Sequence, residues 1–276
     1  MKMKIQKIIM VVLLFFAIVI GVVSCGVNTD EYKRVAKENE LLKDQLDELE
    51  NNAERLLSKI KLNYEEKNYT EVKSEYENLK NRHFDSPEFK EATIIYNTVI
   101  EIEKDKEEKQ KLEEEKLKQQ RLSSLNRLKK EVDDVAGITW YKQSYFIHYC
   151  DSNRTSIYMG KNGDSIWLRL RMSYDGDDWI FFEHAYLSYE GNTIEITYNE
   201  YEDKESDNGG GSVWEWIDVP VTDDILNFLR SFAYSTEAKM RLSGKYTKMR
   251  TLTENERKGI IDILNGYDAL KDELSI

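Results

Sequence analysis

From Val27 to Ala136 the chain contains no glycine and a single proline, Pro87. So long a stretch without the two residues that punctuate chains most strongly reads as a succession of helices. All five tryptophans (Trp140, Trp167, Trp179, Trp214, Trp216) and most of the glycines follow it. The second half therefore reads as strand-rich, and the whole chain as an α+β protein. Acidic residues outnumber basic ones in both halves, and the formal net charge is −12. That balance excludes a bulk nucleic-acid binder, which needs a large positive surface, and a general binder of anionic lipid. A hydrophobic content of 40% with 17 tyrosines excludes a disordered chain. Two cysteines cannot make a disulfide scaffold.

The N-terminus carries an address. Lys2, Lys4 and Lys7 precede an unbroken apolar run from Ile8 to Ile20, and Val22-Val23-Ser24-Cys25 follows. This pattern resembles the signal peptide and lipobox of bacterial lipoproteins. The resemblance implies cleavage before Cys25 and diacylglycerol on its thiol, with enough acyl chains for stable anchoring. The alternative is an uncleaved membrane helix. Ile8 to Val23 is short of the roughly 20 residues that span a bilayer comfortably. The expected division is a signal peptide at 1–24, a lipidated linker at 25–30, a helical hairpin and stalk at 31–136, and a β-rich domain at 137–276.

In the helical half, Val35, Leu42, Leu49 and Leu56 repeat every seven residues, with Asn39, Leu46, Ala53 and Ile60 between them. This is a heptad stripe with Asn39 at an a position, where a buried asparagine selects register and strand number in a parallel dimer. A homodimer through 31–62 is one reading, and packing of this helix on its own neighbour in the chain is the other. Tyr69, Val72, Tyr76 and Leu79 form a second apolar face, and a third continues from Phe89 to Ile102 after Ser86-Pro87. The pattern over 54–102 resembles one tetratricopeptide-type helical pair. Residues 103–121 are almost wholly charged or amide side chains, with acids four residues before bases, as in Glu114 and Lys118. Leu125, Leu128, Val132 and Val135 restore an apolar stripe before Gly137. One helix over 88–136 would be about 70 Å long and could act as a spacer.

Strand candidates then succeed one another: Ile138–Lys142, Tyr145–Cys150, Thr155–Gly160, Ser165–Ser173, Trp179–Tyr189, Asn192–Asn199 and Val213–Val219. Polar and glycine turns separate most of them, which predicts an antiparallel sandwich-like domain. Helices Thr222–Tyr234 and Thr253–Leu270 should close it, the latter opening on the capping box Thr253-Glu254-Asn255-Glu256. Gly137-Ile138-Thr139-Trp140-Tyr141, Tyr158-Met159-Gly160, Trp167-Leu168-Arg169, Asp177-Asp178-Trp179-Ile180-Phe181 and Trp214-Glu215-Trp216 resemble a C-terminal domain of uncharacterised bacterial and prophage-encoded exported proteins. That resemblance implies a domain over about 125–270 and no mechanism.

Candidate chemistry is sparse. No P-loop, Rossmann glycine pattern, His-Glu-x-x-His or nucleophile elbow is present. His148, Cys150 and Asp151, with His184 elsewhere, could be imagined as a zinc or Cys-His site but lack a clear fourth ligand and an oxyanion loop. Asp175-Gly176-Asp177-Asp178 reads as a turn, and Glu200 to Asp207 before Gly209-Gly210-Gly211 as an exposed flexible loop. Glu183 and Glu215 among tryptophans sketch a glycosidase cleft. Trp179, Trp214 and Trp216, with Arg169 and Arg171, are candidate ligand contacts; the competing expectation is that the tryptophans fill the core. Lys239 and Arg241 share a strand face in a basic stretch that could dock an anionic polymer or simply face water. No cofactor and no metal are expected. The leading expectation is a non-enzymatic envelope lipoprotein, on the periplasmic or the surface side, binding an envelope protein or glycan. The alternatives are a self-associating coiled-coil scaffold and a glycan-binding or glycan-hydrolysing domain.

Overall fold

The computed structural model describes residues 29–274, so the signal peptide, the lipobox and Cys25 lie outside the described residues. The chain is mixed helix and antiparallel sheet. Two compact units divide between Lys109 and Gln110. No described helix is long and apolar enough to cross a membrane.

The first unit contains α1 (Thr29–Glu50), α2 (Ala53–Glu65), α3 (Tyr69–His83) and the start of α4 (Pro87–Arg127). The heptad stripe predicts one helix through Ile60, but the chain breaks at Asn51-Asn52. Asn52 adopts an extended backbone, and its side chain accepts a hydrogen bond from the Arg55 N–H at 2.9 Å, capping α2. Asparagine side chains offer the backbone this alternative to a continued helix. Beyond the break, Leu56, Leu57 and Ile60 are buried with Val72, Tyr76, Leu79, Ala92 and Val99. Tyr76 stacks on Tyr96 at 4.1 Å and on Phe89 at 5.4 Å. The helical pair thus packs on the start of α4. It was expected to pack on the first helix, yet α1 contributes nothing to this core.

The second unit begins with the last turns of α4. That helix stops at Arg127, nine residues before the expected end at Ala136, and Lys129–Asp133 is a strand, β1. It pairs with β2 (Ile138–Lys142) across a turn in which the Asp133 carboxylate accepts from the N–H groups of Val135 and Ala136. The strand region therefore starts before residue 137. The remaining strands are β3 (Arg154–Asn162), β4 (Ser165–Gly176), β5 (Phe182–Tyr189), β6 (Asn192–Ile196), β7 (Lys204–Gly209), β8 (Ser212–Pro220), β9 (Lys239–Gly244) and β10 (Thr247–Thr251). They form a six-stranded sheet, β1-β2-β3-β4-β8-β7, and a four-stranded sheet, β10-β9-β5-β6. Two local expectations fail. Tyr145–Cys150 is an irregular segment without a sheet partner. The second half of the supposed acidic loop, from Lys204, is edge strand β7, turned onto β8 by Gly210 and Gly211 at φ 62° and 93°, the positive values a tight hairpin requires, while Glu200–Asp203 remain a turn.

One core collects inward residues of both sheets with α5 (Asp223–Phe232) and α6 (Glu254–Leu274). Leu168, Leu170 and Met172 come from one sheet and Ala185, Leu187 and Leu242 from the other; Leu229, Phe232, Ile260 and Ile263 come from the helices. The capping box closes as its sequence requires: Thr253 N–H donates to Glu256 at 2.8 Å, and Glu256 N–H returns to Thr253 Oγ at 3.3 Å. The buried Glu256 carboxylate also accepts from Thr155 N–H at 2.7 Å and pairs with Arg250.

Buried Asp262 of α6 fastens the end of α4. It accepts from Ser124 Oγ at 3.0 Å, Arg127 Nη2 at 2.6 Å and the Tyr145 hydroxyl at 3.0 Å. Burial works against its charge, but the bonds from Arg127, Tyr145 and Ser124 hold its pKa below the usual carboxylate range. Replacing Asp262 with alanine strands three donors around a cavity. We expect the urea-unfolding free energy of the second unit to fall by about 2–3 kcal/mol, with Asp262→Asn falling less.

Candidate functional site

Alternation along β4 from Trp167 to Met172 decides what faces outward. Leu168, Leu170 and Met172 are buried, so Trp167, Arg169 and Arg171 project from the opposite face. Directly opposed residues of antiparallel neighbours share a face. Trp140 and Trp167 both oppose Gly160, Tyr158 opposes Arg169, Asp218 opposes Arg171, Trp216 opposes Ser173, and Trp214 opposes Asp175. Four of the five tryptophans therefore stand on the outer face of the six-stranded sheet. All are half-buried, and none of the five belongs to the core. The expectation that tryptophans fill the core is overturned. The core is aliphatic, with phenylalanine and tyrosine as its aromatic members.

Gly160 makes this face possible. The ring of Trp167 lies over it so closely that a Cβ there would sit 2.4 Å from the indole. In that gap Trp140 meets Trp167 edge-on at 5.7 Å, and Tyr158 lies 5.5 Å from Trp140.

Beside the rings runs a polar network centred on Asp218. Arg169 Nε donates to it at 2.7 Å, Arg171 Nη2 at 2.6 Å, and the Tyr158 hydroxyl at 2.8 Å. Burial opposes the charge on Arg171, yet the Asp218 carboxylate beside it raises its pKa. Burial, followed by the same carboxylate, pushes the Tyr158 phenol up to about 12. Asp218 thus fixes the planes of both guanidinium groups.

The segment after β2 covers one part of this face. His148 places one ring nitrogen 2.7 Å from Ser156 Oγ and the other 2.8 Å from Ser173 Oγ. Cys150 is a free, half-buried thiol whose pKa burial pushes up. With both imidazole nitrogens committed to hydroxyls, His148 has none left for a metal. Among the described residues no cluster of three or more potential ligands could hold a metal ion.

The other sequence candidates lie elsewhere. Trp179 stacks on Phe181 at 6.0 Å and lines an open groove of about 320 Å³ with Lys204, Glu205, Ser206 and Glu215. Glu183 lines a neighbouring groove of about 260 Å³ with Glu195, Tyr198 and Glu200. Glu215 is buried, and its oxygens accept from the successive N–H groups of Ile180, Phe181 and Phe182 at 2.7, 2.9 and 3.2 Å. Phe181 takes a left-handed φ of 47° at the middle of this cradle. Lys239 and Arg241 occupy the outward face of β9, where Arg241 lies over the Tyr186 ring at 4.3 Å. The basic stretch does not gather into one patch, since Arg250 is spent on buried Glu256.

The structure therefore brings together Arg169, Arg171, Trp214 and Trp216 of the seven candidate contacts. It leaves Trp179, Lys239 and Arg241 apart. Sequence reasoning missed Trp140, Tyr158, Trp167 and Asp218. The alternation that exposes Arg169 and Arg171 already carries Trp167; the other three need the strand register.

His148 gives a pH signature. Burial, reinforced by nearby Arg171, lowers its pKa from the ordinary 6.5 to about 3, against the opposing pull of Glu256. Between those values the unfolded chain binds the proton that the folded chain refuses. The stabilisation is complete above about pH 6.5 and is lost as the pH falls toward 3. The urea midpoint should drop from pH 7 to pH 5, and His148→Gln should flatten that drop. An unchanged difference in the variant would refute this assignment.

No protein-family model, no curated protein and no solved structure matches this chain.

Proposed function

We propose that this chain is a lipid-anchored protein of the bacterial cell envelope, held to the membrane through Cys25, whose β-rich unit binds a glycan without cleaving it. The lysine-flanked apolar run and lipobox support the anchor. In this reading the helices that end at Arg127 are the spacer. The observation that carries the binding assignment is the placement of four tryptophans outside the core, on one sheet face beside the Arg169–Asp218–Arg171 network.

The chemistry of that face suits sugars. Indole rings stack on the C–H faces of pyranose units, and they bring large contact area at little entropic cost. Guanidinium and carboxylate groups held in plane beside them offer paired donors and acceptors to ring hydroxyls. The acidic balance of the second half favours an uncharged chain over a polyanion. Binding is favoured over hydrolysis because the oxygens of Glu215 are committed to three backbone N–H groups and Glu183 lines a different groove.

The test is calorimetric titration of the full chain in detergent with soluble peptidoglycan fragments and neutral oligosaccharides. We expect saturable binding without release of reducing ends, weakened about tenfold by Trp167→Ala or Trp216→Ala and unchanged by Trp179→Ala. No binding across the panel, or an equal loss with Trp179→Ala, would overturn the reading. For the anchor, Cys25→Ala should move the chain out of the membrane fraction.

A further inference from the structure

The apolar stripe of α1 has no cover within the described residues. Every residue from Asp30 to Glu50 is exposed, and Val35, Leu42, Leu46 and Leu49 stand 42–64% open. The helical core beside it is complete without α1, since Leu56, Leu57 and Ile60 pack on α3 and α4 after the break. The C-terminal end of α1 is tied down. Arg82 pairs with Asp47 at 2.6 Å, and His83 Nε2 lies 2.8 Å from the Asn51 carbonyl.

We infer that α1 is a parallel, in-register interface to a second copy of this chain. The pattern specifies that occupant. With Asn39 at a, the seam reads Tyr32, Asn39 and Leu46 at a and Val35, Leu42 and Leu49 at d. Leucine at d suits two strands, and in the parallel register Asn39 meets the partner's Asn39, so its amide is paired. An antiparallel partner would set that amide against an apolar d residue. The flanking charges agree. Glu38 falls at g and Lys43 at the following e, the two positions that face each other across a parallel dimer. Twofold symmetry makes this two attractive Glu38–Lys43 pairs, and neither side chain has an ion pair within the described chain. The break at Asn51-Asn52 limits the zipper to α1. It is therefore shorter than the 31–62 expected from the stripe alone. A seam of some three heptads makes a weak dimer, which a shared membrane surface would strengthen by concentrating the copies.

This inference stands apart from the identity of any ligand. It is tested on the full chain in detergent, in a Cys25→Ser, Cys150→Ser background. Sedimentation on the order of 50 µM should show reversible dimers. Under oxidation Leu42→Cys should cross-link to itself, whereas Glu40→Cys, on the outer side of the helix, should not. Glu38→Lys should weaken the dimer about five- to tenfold, and Glu38→Lys with Lys43→Glu should restore it. A monomer at that concentration, equal cross-linking at 42 and 40, or a double swap that fails to rescue would each overturn the proposal.

Discussion

The inward turn of Leu168, Leu170 and Met172 is the constraint on which the second unit depends. A strand whose side chains alternate has no freedom to bury one set without exposing the other. Once β4 is pinned by those three, Trp167, Arg169 and Arg171 face away from the core. The antiparallel neighbours then bring Tyr158, Asp218 and Trp216 beside them by register. The surface proposed to bind glycan is thus the obligatory reverse of a hydrophobic core.

Buried carboxylates hold the pieces that this alternation cannot reach. Glu215 gathers the segment entering β5, Glu256 joins the start of α6 to β3 and β10, and Asp262 fastens the end of α4 to α6. Each is surrounded by donors, as a charge removed from water must be. In each case one acidic side chain replaces several contacts that apolar packing would need. This explains why acidic residues in the second half are not all surface residues.

Periodic signals were legible in the sequence and long-range pairings were not. The glycine-free half is helical, the tryptophan-bearing half is antiparallel, and the capping box of α6 forms from the residues that announce it. Each departure from the sequence pattern has its own physical cause. Asn52 ends a helix that the heptads prolong, because a local cap competes with a periodic stripe. Residues 129–133 join a sheet despite a helical pattern, because β2 supplies a partner. Glu205 and Asp207 before Gly210-Gly211 belong to an edge strand, which tolerates charge as a central strand would not. The expectation that the tryptophans fill the core rests on their size and apolar surface. Their placement follows the strand register, and that of the Trp167 ring also needs Gly160, a residue whose contribution is to leave room.

The exclusion of tryptophan from the core also decides what light would report about this protein. Indoles change their emission when their surroundings change polarity, and here all five are only partly buried in the folded chain. Unfolding completes an exposure that the indoles already have in part, whereas Phe182 and Phe232 pass from full burial to water. The edge-on Trp140–Trp167 pair, at 5.7 Å, is close enough for its excited states to couple. Its optical activity is a property of the sheet's outer surface, separable from the order of the interior.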